Sequence, residues 1–397
     1  MVTVDEAFGI IGTVVAKVDI EDRPLLSSVG RVLAESVKAD RDFPPFNRVS
    51  MDGIAIDVQS FKGKGHRFLI EGVQAAGVPP TELKDPGSCI EVMTGSVLPR
   101  NTNAVIRYED LELKRGAAHV IIDRVQQGMN IHPQGKDAKR GDELLKPGQK
   151  ISAAEVAVLA SVGKESVRVF GFPKTAVVSS GDELVEVGDT PQPHQIRKSN
   201  THALRAAMIS IGWETESFHL LDDKDLVKKN LQTILDSDDV IILSGGVSKG
   251  KFDFIPGALE ELGIQKLFHQ VSQRPGKPFW FGASPDRSKI VFALPGNPVS
   301  TFLCYHKYIR PWILKCFGVE NLPMTARLAS DVNFDAPLTY FLQVRLEVVN
   351  GEFLAHPWAG GGSGDFANLK DVDGFLELPL EKSAFKAGES YPYISFR

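Results

Sequence analysis

Asp239-Val-Ile-Ile-Leu-Ser-Gly-Gly-Val-Ser-Lys-Gly-Lys-Phe-Asp253 is the most informative run of this chain, because an apolar stretch opens directly into glycines. Its apolar half predicts a strand buried on both faces, as in a parallel sheet. Gln273-Arg-Pro-Gly-Lys-Pro-Phe-Trp280 and Ile290-Val-Phe-Ala-Leu-Pro-Gly-Asn-Pro-Val-Ser300 follow it. Open α/β sheets bind ligands in loops at the carboxyl ends of their strands. Backbone N–H groups, lysines and a carboxylate in these loops predict a site for a phosphorylated molecule and a cation.

Strands and helices alternate on both sides of this run. Strands are predicted at 175–179, 214–220, 239–243, 266–270 and 289–293, and helices at 199–211, 224–236, 254–262 and 298–317. This alternation predicts βαβ units, and therefore an α/β domain over 171–318 with a mostly parallel sheet.

The flanking regions have different residue patterns. Helical spacing predicts helices at 3–17, 25–37 and 152–163, whereas 42–144 is rich in turns and short β-like runs. We therefore expect a discontinuous helical domain (1–41 and 145–170) interrupted by a β-rich inserted domain (42–144). Short strand-like segments after residue 318 predict a small C-terminal β domain over 319–397.

Composition narrows the function classes. A chain of 397 residues is too long for one core, and its net charge of −5 argues against bulk affinity for nucleic acid or anionic membranes. Three cysteines without a CxxC pair argue against a disulfide framework. Acids near the N-terminus do not fit a signal peptide, and no apolar run reaches transmembrane length. We expect a cytoplasmic protein.

The glycines after the central strand nearly match a P-loop. Phe252 stands where a P-loop needs Ser or Thr to hold magnesium, which excludes that interpretation. Two interpretations stay open, a plain strand-to-helix turn and an anion site formed by free backbone N–H groups.

Several acids and cations have two interpretations each. Asp253, Glu183 and Asp222 could cap helices and turns, or could bind magnesium beside the phosphate loop. Arg274 and Lys277 could be solvated surface cations or ligands of an anion on a proline-stiffened loop. Likewise, 360–365 could be a flexible linker or a second anion site.

Six motifs in order resemble the molybdopterin molybdenumtransferase family, known as MoeA in bacteria and as the E domain of gephyrin in animals. They are Ser50-Met-Asp-Gly-Ile-Ala55, Val92-Met-Thr-Gly-Ser-Val-Leu-Pro99, Ser179-Ser-Gly-Asp-Glu-Leu184, Ser244-Gly-Gly-Val-Ser248, Arg274-Pro-Gly-Lys-Pro278 and Leu294-Pro-Gly-Asn-Pro-Val-Ser300. They span nearly the whole chain, which makes the resemblance specific.

The resemblance implies four domains, with a small C-terminal β-barrel, and an elongated homodimer with a shared active site. It implies that molybdate is inserted into adenylylated molybdopterin and that AMP is released with Mg²⁺ or a similar ion. The resemblance also allows a transient contact with the molybdopterin adenylyltransferase. It implies no binding to nucleic acid or to a membrane.

The resemblance also assigns residues. The pterin phosphate would bind at Ser244, Gly245, Gly246 and Ser248. The cation or the nucleotide would be held by Glu183, Asp222 and Asp253. The pterin or molybdate pocket would be lined by Arg274, Lys277, Pro295, Pro298 and Ser363. The second subunit would supply Asp52, Thr94 and Asp137.

Some positions depart from the family pattern. Many members have Lys at the positions of Gln270 and Arg274, and Arg at the position of His132. A Phe-x-Arg pattern usual in the C-terminal domain ends here in Gln343, so Arg345 is the candidate substitute for molybdate binding. Two other function classes stay open, an adenylyltransferase acting on molybdopterin and a scaffold that binds a partner protein.

Overall fold

The computed structural model describes residues 1–247, 254–320 and 322–397. The chain divides into two units. The first unit consists of Met1–Ala34, Pro147–Ser152 and Ser166–Arg397, and the second consists of Glu35–Lys146 and Ala153–Glu165. In the described part of the chain, no helix is both long and apolar enough to span a bilayer.

The described α-helices are short, and six of them pack on the central sheet. In chain order they are α1 (Val4–Gly12), α2 (Ala153–Ser161), α3 (Ser199–Ile209), α4 (Lys224–Ser237), α5 (Ile255–Glu261), α6 (Pro298–Cys304) and α7 (Arg310–Cys316). The predicted helix over 298–317 is interrupted, since a π-helical turn over Tyr305–Ile309 separates α6 from α7.

Twelve strands precede the central sheet. They are β1 (Ile20–Pro24), β2 (Val37–Lys38), β3 (Arg48–Val49), β4 (Gly53–Ile56), β5 (Arg67–Gln74), β6 (Ser88–Val92), β7 (Ala104–Arg107), β8 (Leu111–Lys114), β9 (Ala117–Val120), β10 (Ile131–His132), β11 (Glu143–Leu145) and β12 (Ser166–Phe170). Within the first unit, β1 pairs antiparallel with β12, so two stretches far apart in sequence meet as strands.

The second unit is rich in strands, as its turn-rich sequence predicted. A six-stranded sheet has the order β7-β4-β6-β5-β9-β8. All four residues of β4 are buried, because this strand lies between β6 and β7. The small core of this sheet includes Ile54, Phe68 and Ile106.

The predicted helix over 25–37 is wrong. Only Leu25–Ser28 forms a helical turn, of the 3₁₀ type, and Gly30 then takes a φ of +84°. Beyond it, Val32 and Leu33 form β-bridges with Lys150 and Val169. Glycine in the left-handed region ends helices, and the β-branched valines pair as strands instead.

The central sheet confirms the prediction of βαβ units. Its strands come from β13 (Thr175–Ser180), β14 (Leu184–Val185), β15 (Ile196–Arg197), β16 (Glu216–Leu220), β17 (Val240–Ser244), β18 (Gln265–His269), β19 (Gln273–Arg274), β20 (Trp280–Ala283) and β21 (Ile290–Leu294). Six of them form one sheet in the order β16-β13-β17-β21-β20-β18. The first four run parallel, whereas β20 is antiparallel to both of its neighbours.

Helices cover both faces of this sheet. Val240 and Ile242 point to a core shared with α1, α3, α6 and α7, while Ile241 and Leu243 point to a core shared with α4 and α5. Because both faces are buried, every residue of β17 is apolar or small, as the uninterrupted run in the sequence predicted.

The C-terminal region confirms the predicted small β-barrel. Its strands are β22 (Met324–Leu328), β23 (Val332–Asn333), β24 (Thr339–Val349), β25 (Glu352–Pro357), β26 (Gly374–Leu378), β27 (Ala384–Phe385) and β28 (Ser390–Ser395). Five strands close on themselves in the order β24-β25-β22-β28-β26, because β26 also pairs with β24. The short strand β19 extends this sheet beside β24 and so links the barrel to the central domain.

Candidate functional site

Strands β13, β17 and β21 end side by side at one edge of the central sheet. Ser179 pairs with Ser244, and Ser244 pairs with Leu294, so the three strands end at the same level. Because β18 and β21 are both antiparallel to β20, the loop after β18 leaves from this edge as well. The edge therefore collects the loops that the sequence assigned to ligand binding.

The turn after β17 requires glycine at two positions. Gly245 and Gly246 have φ angles of +103° and +67°. A Cβ on Gly246 would lie 2.4 Å from Ile255 Cδ1 and 2.8 Å from the Ser180 hydroxyl oxygen, which is closer than atoms can pack. Ser180 is buried, and its hydroxyl has no hydrogen-bond partner among the described residues. Only a residue without a side chain fits above it.

The same turn leaves backbone N–H groups for a ligand. Gly245 N donates to Leu294 O at 3.1 Å, but no described residue accepts from the N–H of Gly246 or Val247. The carbonyl oxygen of Val247 lies 3.0 Å from His269 Nε2, which fixes the turn from β18. Successive unpaired N–H groups in such a turn form an anion-binding surface.

Asn200, at the start of α3, joins several of these loops. Its Nδ2 donates to Ser244 Oγ at 2.9 Å and to Gly296 O at 2.7 Å. Thr301 Oγ1 lies 3.3 Å from Ser244 Oγ and donates to Pro295 O. Sequence reasoning missed Asn200 and Thr301, because nothing in their local sequence indicates contacts with loops so distant along the chain.

The stiff turn after β21 is tied to the glycine-rich loop of the C-terminal region. Asn297 Nδ2 donates to Ser363 Oγ at 2.7 Å, and Val299 N donates to Ser363 O at 3.1 Å. Pro298 is the first residue of α6, as its fixed φ predicts. Three residues assigned by the resemblance, Pro295, Pro298 and Ser363, therefore lie on two connected loops.

The loop carrying Arg274 and Lys277 is held by a buried glutamine. Gln273 is fully buried, and its Nε2 donates to Pro275 O at 3.1 Å. The Tyr308 hydroxyl donates to Oε1 of the same Gln273 side chain. Both cationic side chains stay exposed on this fixed backbone, and the Arg274 guanidinium carbon lies 5.8 Å from the Phe334 ring centroid.

The acids after β13 and β16 are close to one another. Glu183 folds back so far that a Cβ on Gly181 would lie 2.3 Å from its Oε2. Asp182 Oδ1 accepts from the N–H of Asp222 at 3.0 Å, so these two loops are connected. Two residues assigned by the resemblance lie outside the described residues, namely Ser248 and Asp253.

A partly buried polar cluster beside these acids was missed by sequence reasoning. Ser179 Oγ lies 3.0 Å from His219 Nδ1, and Lys198 Nζ donates to Glu186 Oε1 at 2.5 Å. Burial, followed by the charge of Lys198, lowers the pKa of His219, so the imidazole is neutral at pH 7. The one sequence signal for this polar cluster is the presence of polar residues within an otherwise apolar strand pattern.

The second unit brings its own predicted site residues together. Asp52 Oδ1 accepts from the N–H of Thr94 at 2.6 Å, and this hydrogen bond lowers the pKa of Asp52. Asp137 Oδ1 lies 2.8 Å from His132 Nε2. His132 belongs to β10, which pairs with β3 immediately before the segment of Asp52. The three residues thus lie on adjoining segments of one unit.

The positions that depart from the family pattern have defined backbone conformations or contacts in the structure. Gln270 has a φ of +77°. Gln343 is buried and its Oε1 accepts from Asn368 Nδ2 at 3.2 Å, so it is occupied within the protein. Arg345 is partly exposed, and its guanidinium carbon lies 3.5 Å from the centroid of the Trp358 ring. Of the two, only Arg345 has charge and exposure suited to an anion.

A pocket of about 410 Å³ lies in the first unit beside these loops. Its walls are mostly apolar, and Asn200, Thr301, Lys370 and Arg397 are among its polar residues. It is lined by Ser199, Asn200, Ala203, Leu204, Pro298, Thr301, Phe302, Phe366, Leu369, Lys370, Phe396 and Arg397. An apolar cavity with few convergent polar groups is typical of a site for a small molecule.

Fold and site together define a multidomain α/β protein whose central sheet carries glycine-rich and cationic loops at one edge. Known families match along most of the chain. Residues 2–163 match the MoeA N-terminal region (domains I and II), residues 176–315 match a probable molybdopterin binding domain, and residues 325–396 match the MoeA C-terminal region (domain IV).

Relatives and solved structures agree with these matches. A molybdopterin molybdenumtransferase of Synechocystis is 38% identical over 372 residues, covering 93% of each chain, and that of Bacillus subtilis is 29% identical over 388 residues, covering 94% of this chain and 89% of the relative. A MoeA crystal structure from Pyrococcus horikosii superposes with a TM-score of 0.83 at 31% identity, covering 100% of this chain and 99% of that one. The chain belongs to the molybdopterin molybdenumtransferase family, whose members are enzymes of molybdenum cofactor biosynthesis.

Proposed function

We propose that this chain inserts molybdate into adenylylated molybdopterin and releases AMP. The observation that carries the proposal is the shared edge of the central sheet. At this edge lie the glycine turn, whose Gly246 and Val247 N–H groups have no acceptor among the described residues, the Arg274–Lys277 loop, and the acids Glu183 and Asp222. The chain belongs to the molybdopterin molybdenumtransferase family.

The chemistry of the reactants fits this edge. Adenylylated molybdopterin and molybdate are both anions, so their charge must be offset while they react. Gly246 and Val247 offer N–H groups, and Arg274 and Lys277 offer cations on a backbone fixed by Gln273. Fixed donors of this kind stabilise developing negative charge without reorganising.

Mg²⁺ is part of the proposal. Among the described residues, no three His, Cys, Asp or Glu side chains are grouped to hold a metal by themselves. Magnesium usually takes one or two carboxylates together with substrate phosphate oxygens. Glu183 and Asp222 fit that smaller donor set, with Asp253 as the third acid that the resemblance assigns. The ion would neutralise phosphate charge when bound.

Asp52, Thr94 and Asp137 are proposed to act from a second subunit of a homodimer. The support is that the second unit holds all three on adjoining segments and leaves their side chains exposed. We further propose the four domains given above, with boundaries near 41, 144, 170 and 318, a cytoplasmic location, and a transient contact with the molybdopterin adenylyltransferase.

Turnover by the purified chain tests the main proposal. The protein is incubated with adenylylated molybdopterin, molybdate and Mg²⁺, and AMP and active cofactor are measured. Molybdate-dependent AMP release is expected, and its absence contradicts the proposal. Consumption of ATP with formation of the adenylylated pterin indicates an adenylyltransferase instead. Binding of a partner protein without any turnover indicates a scaffold.

The shared site has a separate test. Asp52→Ala and Lys277→Ala are each expected to be inactive, because each removes one half of the proposed site. Mixing the two variants should restore about a quarter to half of the activity, because mixed dimers contain one intact site. Two inactive variants that stay inactive after exchange of subunits, verified by mass spectrometry, contradict the shared site.

A further inference from the structure

Donor chemistry determines the direction of the main hydrogen bonds around Asn200. Thr301 has a single hydroxyl proton, and its Oγ1 lies 2.5 Å from Pro295 O, so that carbonyl takes the proton. Ser244 Oγ then accepts from Asn200 Nδ2 at 2.9 Å, and its own proton is free to go to Thr301 Oγ1, 3.3 Å away, or to a ligand.

The orientation of the Asn200 amide follows from this arrangement. Its two Nδ2 protons go to Ser244 Oγ and to Gly296 O, at 2.9 Å and 2.7 Å. A flipped amide would place its oxygen against the Gly296 carbonyl, which is repulsive. The Oδ1 of Asn200 consequently faces away from these partners, and no described residue donates to it. Asn200 itself lines the pocket of about 410 Å³.

The rest of the pocket suits a flat aromatic ring. Phe302, Phe366 and Phe396 contribute to its walls, and Phe366 is 61% exposed, so it is available for stacking. Phe302 and Phe396 pack edge to face at 4.9 Å, which holds that side of the wall in place. Asn200 lines the pocket and also bonds to Ser244 at the start of the glycine turn, so a ring in the pocket and a phosphate at the turn could belong to one ligand.

We propose that Asn200 has two tasks. Its amide nitrogen positions the loops after β17 and β21, and its Oδ1 accepts a hydrogen bond from an amino group on a planar heteroaromatic ring in the pocket. This inference rests on the proposed function, whose substrate carries two such rings, a purine and a pterin. The shared chemistry is an aromatic amine, and the experiment separates the two sources.

The test measures the affinity of ligand pairs that differ only by the amino group. AMP is compared with purine riboside 5′-monophosphate, and 6-hydroxymethylpterin phosphate is compared with its 2-deamino analogue, by calorimetry without molybdate. The wild type should prefer the amine in one pair by about 3- to 10-fold, the value of one neutral hydrogen bond. Asn200→Ala should abolish that preference, whereas Ser210→Ala, at the other end of α3, should keep it.

Two further variants separate the tasks. Thr301→Val breaks the bonds to Ser244 and Pro295 but leaves Oδ1 in place, so it should weaken both members of a pair equally, and Thr301→Ser should restore binding. Phe366→Ala, at an exposed position, should weaken both members by about 5-fold through lost stacking. It also tests the pocket if Asn200→Ala does not fold.

The outcomes are distinguishable. A preference that persists in Asn200→Ala, or wild-type affinity in Phe366→Ala, overturns the role of the pocket and leaves the proposed function standing. Failure of the wild type to bind either pair overturns the inference and contradicts the proposed substrate as well.

Discussion

Two glycine-rich loops of this chain have similar compositions, but among the described residues only one of them supplies a carboxylate of its own to a glycine N–H. In the turn after β17, the N–H groups of Gly246 and Val247 have no acceptor among the described residues. In the loop over 360–364, the N–H of Gly361 donates to Asp365 Oδ2 at 2.8 Å, and a Cβ on Gly360 would lie 2.7 Å from that same oxygen.

The two loops differ in whether the chain itself supplies a carboxylate acceptor for a glycine N–H. The C-terminal loop places a carboxylate of its own sequence against the N–H of Gly361. The turn after β17 contains no acid through Val247 and leaves its donors for a ligand. Glycine content therefore does not identify an anion site, whereas the state of the N–H groups does.

Among the variants that compare the two loops, the largest expected effect comes from Gly246→Ala. The new Cβ would meet Ile255 and the Ser180 hydroxyl and would hold alanine at a positive φ. Strain of this kind costs about 2–4 kcal/mol, which the turn can relieve only by moving its N–H groups. We expect turnover to fall by about 100-fold or more, measured as molybdate-dependent AMP release.

Gly257→Ala is the matched control for this substitution. Gly257 lies in α5, and a Cβ there meets nothing within 4 Å. Alanine should stabilise the helix by about 0.5–1 kcal/mol and leave turnover unchanged. Equal losses in both variants, with equal shifts in Tm, would show that glycine at 246 has no special role in the turn.

The cations beside the open turn should have the next largest effect. Lys277→Gln removes an exposed charge from the loop that leaves the same edge. We expect the Kd for adenylylated molybdopterin to rise about 10-fold, with a weaker dependence on salt. Lys266→Gln, on β18 and paired with Glu260, provides a control of equal charge that should bind normally.

Asp365→Ala tests the occupied loop directly. Loss of the carboxylate frees the Gly361 N–H, and unfolding in urea should show a destabilisation of about 1 kcal/mol. Because the Gly361 N–H already has an acceptor within its own loop, the Kd for adenylylated molybdopterin should change less than about 2-fold. Asp365→Asn keeps an acceptor oxygen and should recover most of the stability. A large loss of ligand affinity in Asp365→Ala alone would erase the distinction between the two loops.

The smallest expected effect concerns Asp52, another carboxylate that accepts a backbone N–H. The hydrogen bond from Thr94 holds its folded pKa below the ordinary value of 3.8. Its contribution to stability is therefore present above that ordinary value and is lost as the pH falls through the lower, folded pKa. Asp52→Asn should flatten the acid side of the stability curve below about pH 4, measured by urea unfolding at several pH values. An unchanged slope there contradicts the shift.

Local patterns explain why much of the fold was predictable. The apolar run of β17 and the alternation around it identified the strands of the central sheet, because burial on both faces leaves a clear signal in the sequence. The helix expected over 25–37 failed because strand partners at 150 and 169, far along the chain, outweighed local helical spacing.

The site was less predictable than the fold. Motifs indicated the glycine turn and the cationic loop, since these depend on residues adjacent in sequence. Asn200 gave no such indication, because its partner Ser244 is 44 residues away and Gly296 is 96 residues away. The role of the Ser244 hydroxyl as an acceptor from Asn200 likewise followed only from groups that the fold brings together.

The buried amide of Gln273 affects which substitutions the cationic loop can accept during evolution. It contacts backbone carbonyl oxygens of the cationic loop and the Tyr308 hydroxyl, and no side chain at positions 274 or 277. The course of the loop is therefore independent of which cation it carries. Arginine and lysine can replace one another there by single mutations without refolding the loop, so divergent relatives can vary the charge-bearing group while its position is inherited.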